Sequence, residues 1–124
     1  MQKQWSNVDN YLIEKLIPKD DMLEQVLANN QRAGLPAIDV AANQGQLLAL
    51  FVRMTGAKRI LEIGTLGGYS TIWMARELPA DGELLTLEAD VHHASIARQN
   101  LQLAGLDERV NVVERSEEHT SNSS

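Results

Sequence analysis

Apolar positions in the first forty residues follow a helical period. Val8, Tyr11, Leu12, Lys15 and Leu16 recur at three- and four-residue spacing after Ser6 or Asn7, either of which can N-cap, and Pro18 stops the segment. Asp20 or Asp21 caps a second helix with Met22, Leu23, Val26 and Leu27 on its apolar face, and Gly34 then Pro36 end it. A third helix, Ala41 to Thr55, carries Leu47, Leu48, Leu50, Phe51, Val52 and Met54, an apolar surface broad enough to pack on more than one side, and closes at Gly56. The period then changes. Arg59–Ile63 is a short apolar run, the form of a parallel strand buried on both faces. Gly67 to Leu78 reads as helix, Glu83–Glu88 as a second strand, Val91 to Ala104 as a helix closed by Gly105, and Arg109–Val113 as a third strand. This βαβαβ alternation predicts an α/β fold with a parallel sheet and helices on both faces.

Three segments follow from that pattern: N-terminal helices over 1–56, a βαβαβ half-domain over 57–114, and a polar tail over 115–124 with nothing to pack. A doubly wound sheet normally continues to roughly six strands, so three strands read as the front part of a longer protein. The tail run Arg-Ser-Glu-Glu-His-Thr-Ser also matches one reading frame of a common sequencing adapter, and is expected to be disordered and adapter-derived. Composition narrows the chemistry. The 124 residues contain no Cys, which excludes disulfides, thiol nucleophiles and Cys-ligated metals. Seventeen acidic against eleven basic residues give a charge of −6, and aromatics make up 4%, so neither a nucleic-acid groove nor a base-stacking platform is expected. No apolar run approaches the roughly 20 residues of a membrane span, and Met-Gln-Lys-Gln-Trp lacks the apolar stretch of a secretory signal. The expected location is the cytoplasm.

The chemistry concentrates in Ile60-Leu-Glu-Ile-Gly-Thr-Leu-Gly-Gly-Tyr-Ser70, a strand passing through a glycine turn into a helix. Glycine there lets a ligand approach the backbone more closely than a Cβ allows. The first βα turn of an open α/β sheet is where nucleotides bind. Leu66 stands where a dinucleotide fingerprint needs its second glycine, and no Gly-Lys-Ser or Gly-Lys-Thr exists for a P-loop. Glu88, 24 positions after Gly64 at the end of the second strand, suits the ribose hydroxyls of an adenosine. Glu62 is a carboxylate inside an apolar strand and needs partners; it can attract a cationic cofactor or satisfy backbone amides. Adjacent His92 and His93 lack the i, i+4 spacing of ligands and read as surface residues.

Glu62-Ile-Gly-Thr-Leu-Gly-Gly-Tyr-Ser70, with Gly45-Gln46 before it and Glu88 after it, resembles the cation-dependent class I O-methyltransferases, the group of caffeoyl-CoA and catechol O-methyltransferases and their bacterial relatives. The resemblance spans about residues 5 to 114. It implies a Rossmann-like S-adenosylmethionine-dependent methyltransferase fold, present here up to its third parallel strand. Glu62, Gly64 and Thr65 then form the cofactor turn, with the Gly64 and Thr65 backbone along the methionyl group. Ser70, in the first turn of the next helix, offers a hydroxyl to the cofactor's carboxylate. Glu88 takes the ribose, and Val40 packs against the cofactor.

The resemblance also implies methyl transfer to a small, hydroxylated, catechol-like acceptor. A divalent cation of the Mg type, held by two Asp and an Asn on later strands, would activate the acceptor hydroxyl in the longer parent, where a homodimer is also expected. Those strands lie past this chain, so no metal ligand or catalytic residue is assigned. Arg115-Ser-Glu117 stands where the family has a small Gly-x-Ala turn, which fits truncation. The chain by itself is expected to be inactive and to bind cofactor weakly. An NAD-dependent oxidoreductase and a non-catalytic interaction module are the competing readings.

Overall fold

A computed structural model describes residues 2–115. The order of elements is α1 (Gln2–Leu16), α2 (Asp21–Arg32), α3 (Ala42–Thr55), β1 (Arg59–Ile63), α4 (Tyr69–Ala75), β2 (Glu83–Glu88), α5 (Val91–Leu103) and β3 (Val110–Glu114). The adapter reading of the tail falls, from residue 116 onward, outside the described residues. The strands form one parallel sheet in the order β1-β2-β3. The expected alternation of strands and helices is therefore present, with differences at the ends of elements.

Helix α1 begins at Gln2, so Ser6 and Asn7 lie inside it instead of capping it. Helix α2 is capped by Asp20, whose carboxylate accepts from the Leu23 amide at 3.1 Å and pairs with Arg76 at 2.6 Å, tying α2 to the end of α4. Burial disfavours ionisation of Asp20, but the Arg76 hydrogen bond, with the Leu23 and Met22 amides, outweighs it and holds the carboxyl below its ordinary range. The buried face of α2 is Leu23, Val26 and Asn30, whereas Leu27 points outward. Helix α4 is shorter than expected because Gly67 and Gly68 are consumed by the turn, with Gly68 as N-cap at φ 88°.

The sheet is covered on one face, not on both. Leu84, Val110 and Val112 pack with Ile72, Ala75 and Leu101 in a single core, with Ile60 against its edge. The alternate residues Leu61 and Ile63 are 61% and 56% exposed, and Leu85 is exposed as well. The reason is topological: in the order β1-β2-β3 the chain advances one strand at a time in one direction, so crossovers of one hand lay α4 and α5 on the same side. On the other side Leu61, Ile63 and Leu85 stay exposed and only Leu87 of the central strand is buried among those residues, and β1 is half-buried where a doubly covered strand was expected. Helix α3 packs on α4 through Gly45, where a Cβ would lie 2.3 Å from the Trp73 ring.

Candidate functional site

Strand alternation turns Glu62 toward the helix-covered face, opposite Thr86 in the register of β1 and β2. Among the described residues its carboxylate is met by three hydroxyls and by no backbone amide. Oε1 accepts from Thr86 Oγ1 at 2.8 Å and from Thr71, and Oε2 accepts from Ser70 Oγ at 2.7 Å. Thr86 is fully buried and its hydroxyl also meets that of Thr65 at 2.5 Å. The result is a cluster of Glu62, Thr65, Ser70, Thr71 and Thr86 beneath the turn. With its proton given to Glu62, Ser70 presents lone pairs to a neighbour. It can donate to a carboxylate only by leaving Glu62, which would still hold Thr71 and Thr86.

The turn above this cluster is spelled by backbone geometry. Gly64 has φ 86°, a conformation that side chains other than glycine adopt with strain, and the space where a Cβ would project is empty for 4 Å. Its amide donates to the Leu87 carbonyl at 2.8 Å, continuing the β1–β2 ladder one residue into the turn. Leu66 takes φ 53° without being glycine. Its amide donates to Glu88 Oε1 at 2.7 Å, and the Asp90 amide donates to Glu88 Oε2 at 3.0 Å. Glu88 is 8% exposed, so it is a buried strand end that braces the turn. Its outer oxygen also lies 3.7 Å from His93 Nδ1, which makes His93 half-buried against the site, while His92 is exposed as expected. The carboxylate of Asp90 caps α5 through the His93 amide at 3.1 Å, and that bond chiefly lowers its acidity range.

The sequence-expected residues thus fall into two groups. Glu62, Thr65 and Ser70 form one network; Gly64 and Glu88 join it through the turn and through β2. Val40 stands apart on the loop before α3, half-buried against the core. Its neighbour Asp39 accepts from Asn30 Nδ2 at 3.4 Å, and burial raises the Asp39 carboxyl above its ordinary value. Sequence reasoning missed Thr71, Thr86, Asn30 and Asn100. The last two have a readable signal: each is an amide at a position where helical period demands an apolar residue, beside Leu23 and Val26 in α2 and beside Ala97 and Leu101 in α5.

A cleft of about 720 Å³ lies elsewhere. It lies at the amino ends of the strands between Arg59, Leu61, Leu85 and Asp107. Ligands of open α/β sheets bind at the carboxyl ends, where the turn and Glu88 are, and this cleft sits at the opposite end of the sheet. Among the described residues no group of three or more His, Asp or Glu side chains could hold a metal ion. No described helix is long and apolar enough to cross a membrane.

Comparison with known proteins gives a consistent picture. The family model for O-methyltransferases matches residues 14–121. A catechol O-methyltransferase of Niastella koreensis is 47% identical over 108 residues, 87% of this chain and 49% of its own length. A solved structure from Klebsiella pneumoniae, assigned to the O-methyltransferases, is 72% identical with a TM-score of 0.93 over 99% of this chain and 56% of that one. An O-methyltransferase of Bacillus cereus, solved in complex with SAH, is 48% identical with a TM-score of 0.89 over 100% of this chain and 58% of that one. The chain spans about half the length of the curated relatives it matches.

Proposed function

The chain belongs to the O-methyltransferase family, and from that premise we propose that residues 57–114 are the cofactor-binding half of an S-adenosylmethionine-dependent O-methyltransferase. The observation that carries this reading is the pairing of an open, positive-φ Gly64 with a buried Glu88 that braces the same turn at the carboxyl ends of the strands. When bound, the cofactor supplies an electrophilic methyl group on a sulfonium. The residues of this chain bind and orient it. The Gly64 and Thr65 backbone lies along the methionyl group, Glu62 sets a negative potential beneath the cationic end, and Ser70 reaches the amino-acid head group. Glu88 accepts from the ribose hydroxyls, and Val40 closes the pocket from the α3 side. Binding ribose requires Glu88 to share acceptor positions now used by the Leu66 and Asp90 amides; a carboxylate has about four lone-pair sites, so both can be retained.

The acceptor is a small hydroxylated molecule, catechol-like by analogy with the relative from Niastella koreensis. Activation of its hydroxyl by a divalent cation has no ligand set among residues 2–115. For the 124-residue chain by itself we propose weak cofactor binding and no methyl transfer. We place the protein in the cytoplasm, and its longer form as a homodimer acting on neither nucleic acid nor membrane.

Equilibrium dialysis tests the reading with labelled S-adenosylmethionine and labelled NAD. Retention of the first, competition by SAH and loss in Glu88→Ala are expected. Retention of NAD instead, or Glu88→Ala behaving as the parent, would point to the oxidoreductase or to a non-catalytic module.

A further inference from the structure

A line of amides runs from α2 to the glycine turn, and none of its members belongs to the binding residues above. Asn100 is fully buried in α5 between Ala97 and Leu101. Its Nδ2 donates both protons, one to the Gly67 carbonyl at 2.7 Å and one to Asn30 Oδ1 at 2.9 Å, and its Oδ1 accepts from Asn29 Nδ2 at 2.9 Å. Asn30 is 3% exposed and passes a bond to Asp39 Oδ1 at 3.4 Å. Asn29 in turn accepts from Gln25 at 2.9 Å and from Arg32.

The polarity of this line is set by its ends. Arg32 can only donate, while the Gly67 carbonyl and the Asp39 carboxylate can only accept, so every amide between them has one orientation. All three polar positions of Asn100 that face the interior are used, which is the condition under which a buried amide stiffens a structure instead of weakening it. Gly67 completes the fit: a Cβ on it would lie 2.0 Å from Asn30 Oδ1. Its φ is not among the positive ones, so glycine is required there by Asn30 and not by backbone conformation.

Resting on the cofactor reading above, we propose that Asn100 is a positioning residue for the cofactor turn, holding it through the Gly67 carbonyl, and that Asn30 with Asp39 extends the same constraint to the loop carrying Val40. The α2 helix thereby reports to both walls of the site.

Amide exchange on the 124-residue chain tests this without cofactor. Asn100→Asp keeps the shape but sets a carboxylate against two acceptors, while Leu101→Ala, at the neighbouring core position, lowers stability without touching the amide line. In Asn100→Asp, exchange at Leu66 and Gly68 should accelerate tenfold or more beyond the change at the slowest core amides. In Leu101→Ala the turn and core should change together. Turn exchange that merely follows core exchange in both variants overturns the proposal. Should Asn100→Asp not fold, Asn100→Ala supplies the same decision: it removes the bond to the Gly67 carbonyl without adding a charge, turn exchange should again accelerate beyond core exchange, and turn exchange that merely follows the core counts against the proposal. A second arm measures SAH affinity. A tenfold weaker Kd in Asn100→Asp, with Leu101→Ala near the parent, supports positioning, and equal affinity of Asn100→Asp and parent overturns it. If the parent itself does not bind SAH while the turn loosens selectively, the amide line stands and the cofactor reading is what fails.

Discussion

Thr86→Val removes one oxygen from the fully buried centre of the carboxylate cluster while keeping the shape of the side chain. Two hydrogen bonds disappear: the 2.8 Å donation to Glu62 Oε1 and the 2.5 Å contact with the Thr65 hydroxyl. A bond to a charged acceptor contributes about 1.5–3 kcal/mol net and a neutral one about 0.5–1.5. Glu62 keeps Ser70 and Thr71, so its charge is not stranded, but the buried Thr65 hydroxyl is left without its Thr86 partner, which places the loss toward the upper part of these ranges. The expected loss is about 2–4 kcal/mol. With a urea slope of about 1–3 kcal/mol/M, typical of small proteins, the midpoint should fall by on the order of 1–2 M with the slope unchanged. The assay is equilibrium urea unfolding followed by tryptophan fluorescence and far-UV circular dichroism in parallel. A loss below about 0.5 kcal/mol, the range of ordinary surface substitutions, would refute the claim that three hydroxyls hold the Glu62 carboxylate.

Other outcomes follow from the same structure. Gly64→Ala, with open space around its Cβ but φ at 86°, should cost about 1–3 kcal/mol in backbone strain, seen as a lower melting midpoint with the circular dichroism spectrum retained. Asp20→Ala should lose about 0.5–2 kcal/mol as an N-cap, and its pH profile has a defined sign. The folded carboxyl lies below its ordinary range, so the stabilisation is complete above the unfolded value and fades as pH falls through the folded one, a slope that the parent should show and Asp20→Ala should lack. Asp39 has the opposite sign: its contribution is present in acid and is lost as pH rises through its raised value, so Asp39→Asn should gain on the parent toward neutral pH. Leu61→Ser should change stability by less than about 0.5 kcal/mol because that sheet face is open, whereas Leu84→Ala, on the covered face, should lose about 2–5 kcal/mol in the same melts.

Much of this fold was legible because the period of the apolar residues changes from helical to strand-like after Gly56, and the three strands lie within one residue of where alternation put them. Coverage was less legible. Arg59–Ile63 is apolar enough for a strand buried on both faces, yet burial of Leu61 and Ile63 depends on what lies across the sheet, and local pattern carries no information about that. The glycine turn and Glu88 could be read from spacing, since the turn follows directly on β1 and Glu88 ends the adjacent β2, where the structure joins them through the Leu66 amide. The partners of Glu62 could not, because Thr71 and Thr86 reach it only through the parallel register of β1 and β2 and the first turn of α4. Asn30 and Asn100 were visible as breaks in an apolar stripe, but a break does not say what it bonds to. His93 was misjudged for the same reason: a helix start looks exposed until the preceding strand ends in a buried carboxylate.

The central claim is that the turn from Gly64 to Ser70, with Glu88, holds the cofactor. Titrating SAH into the isotope-labelled chain and following backbone amide shifts by NMR addresses it residue by residue, and remains informative when binding is weak. The largest changes should fall on Gly64, Thr65, Leu66, Ser70, Glu88 and Asp90. Changes confined to the cleft beside Arg59, Leu85 and Asp107, or none at saturating SAH, would contradict the account.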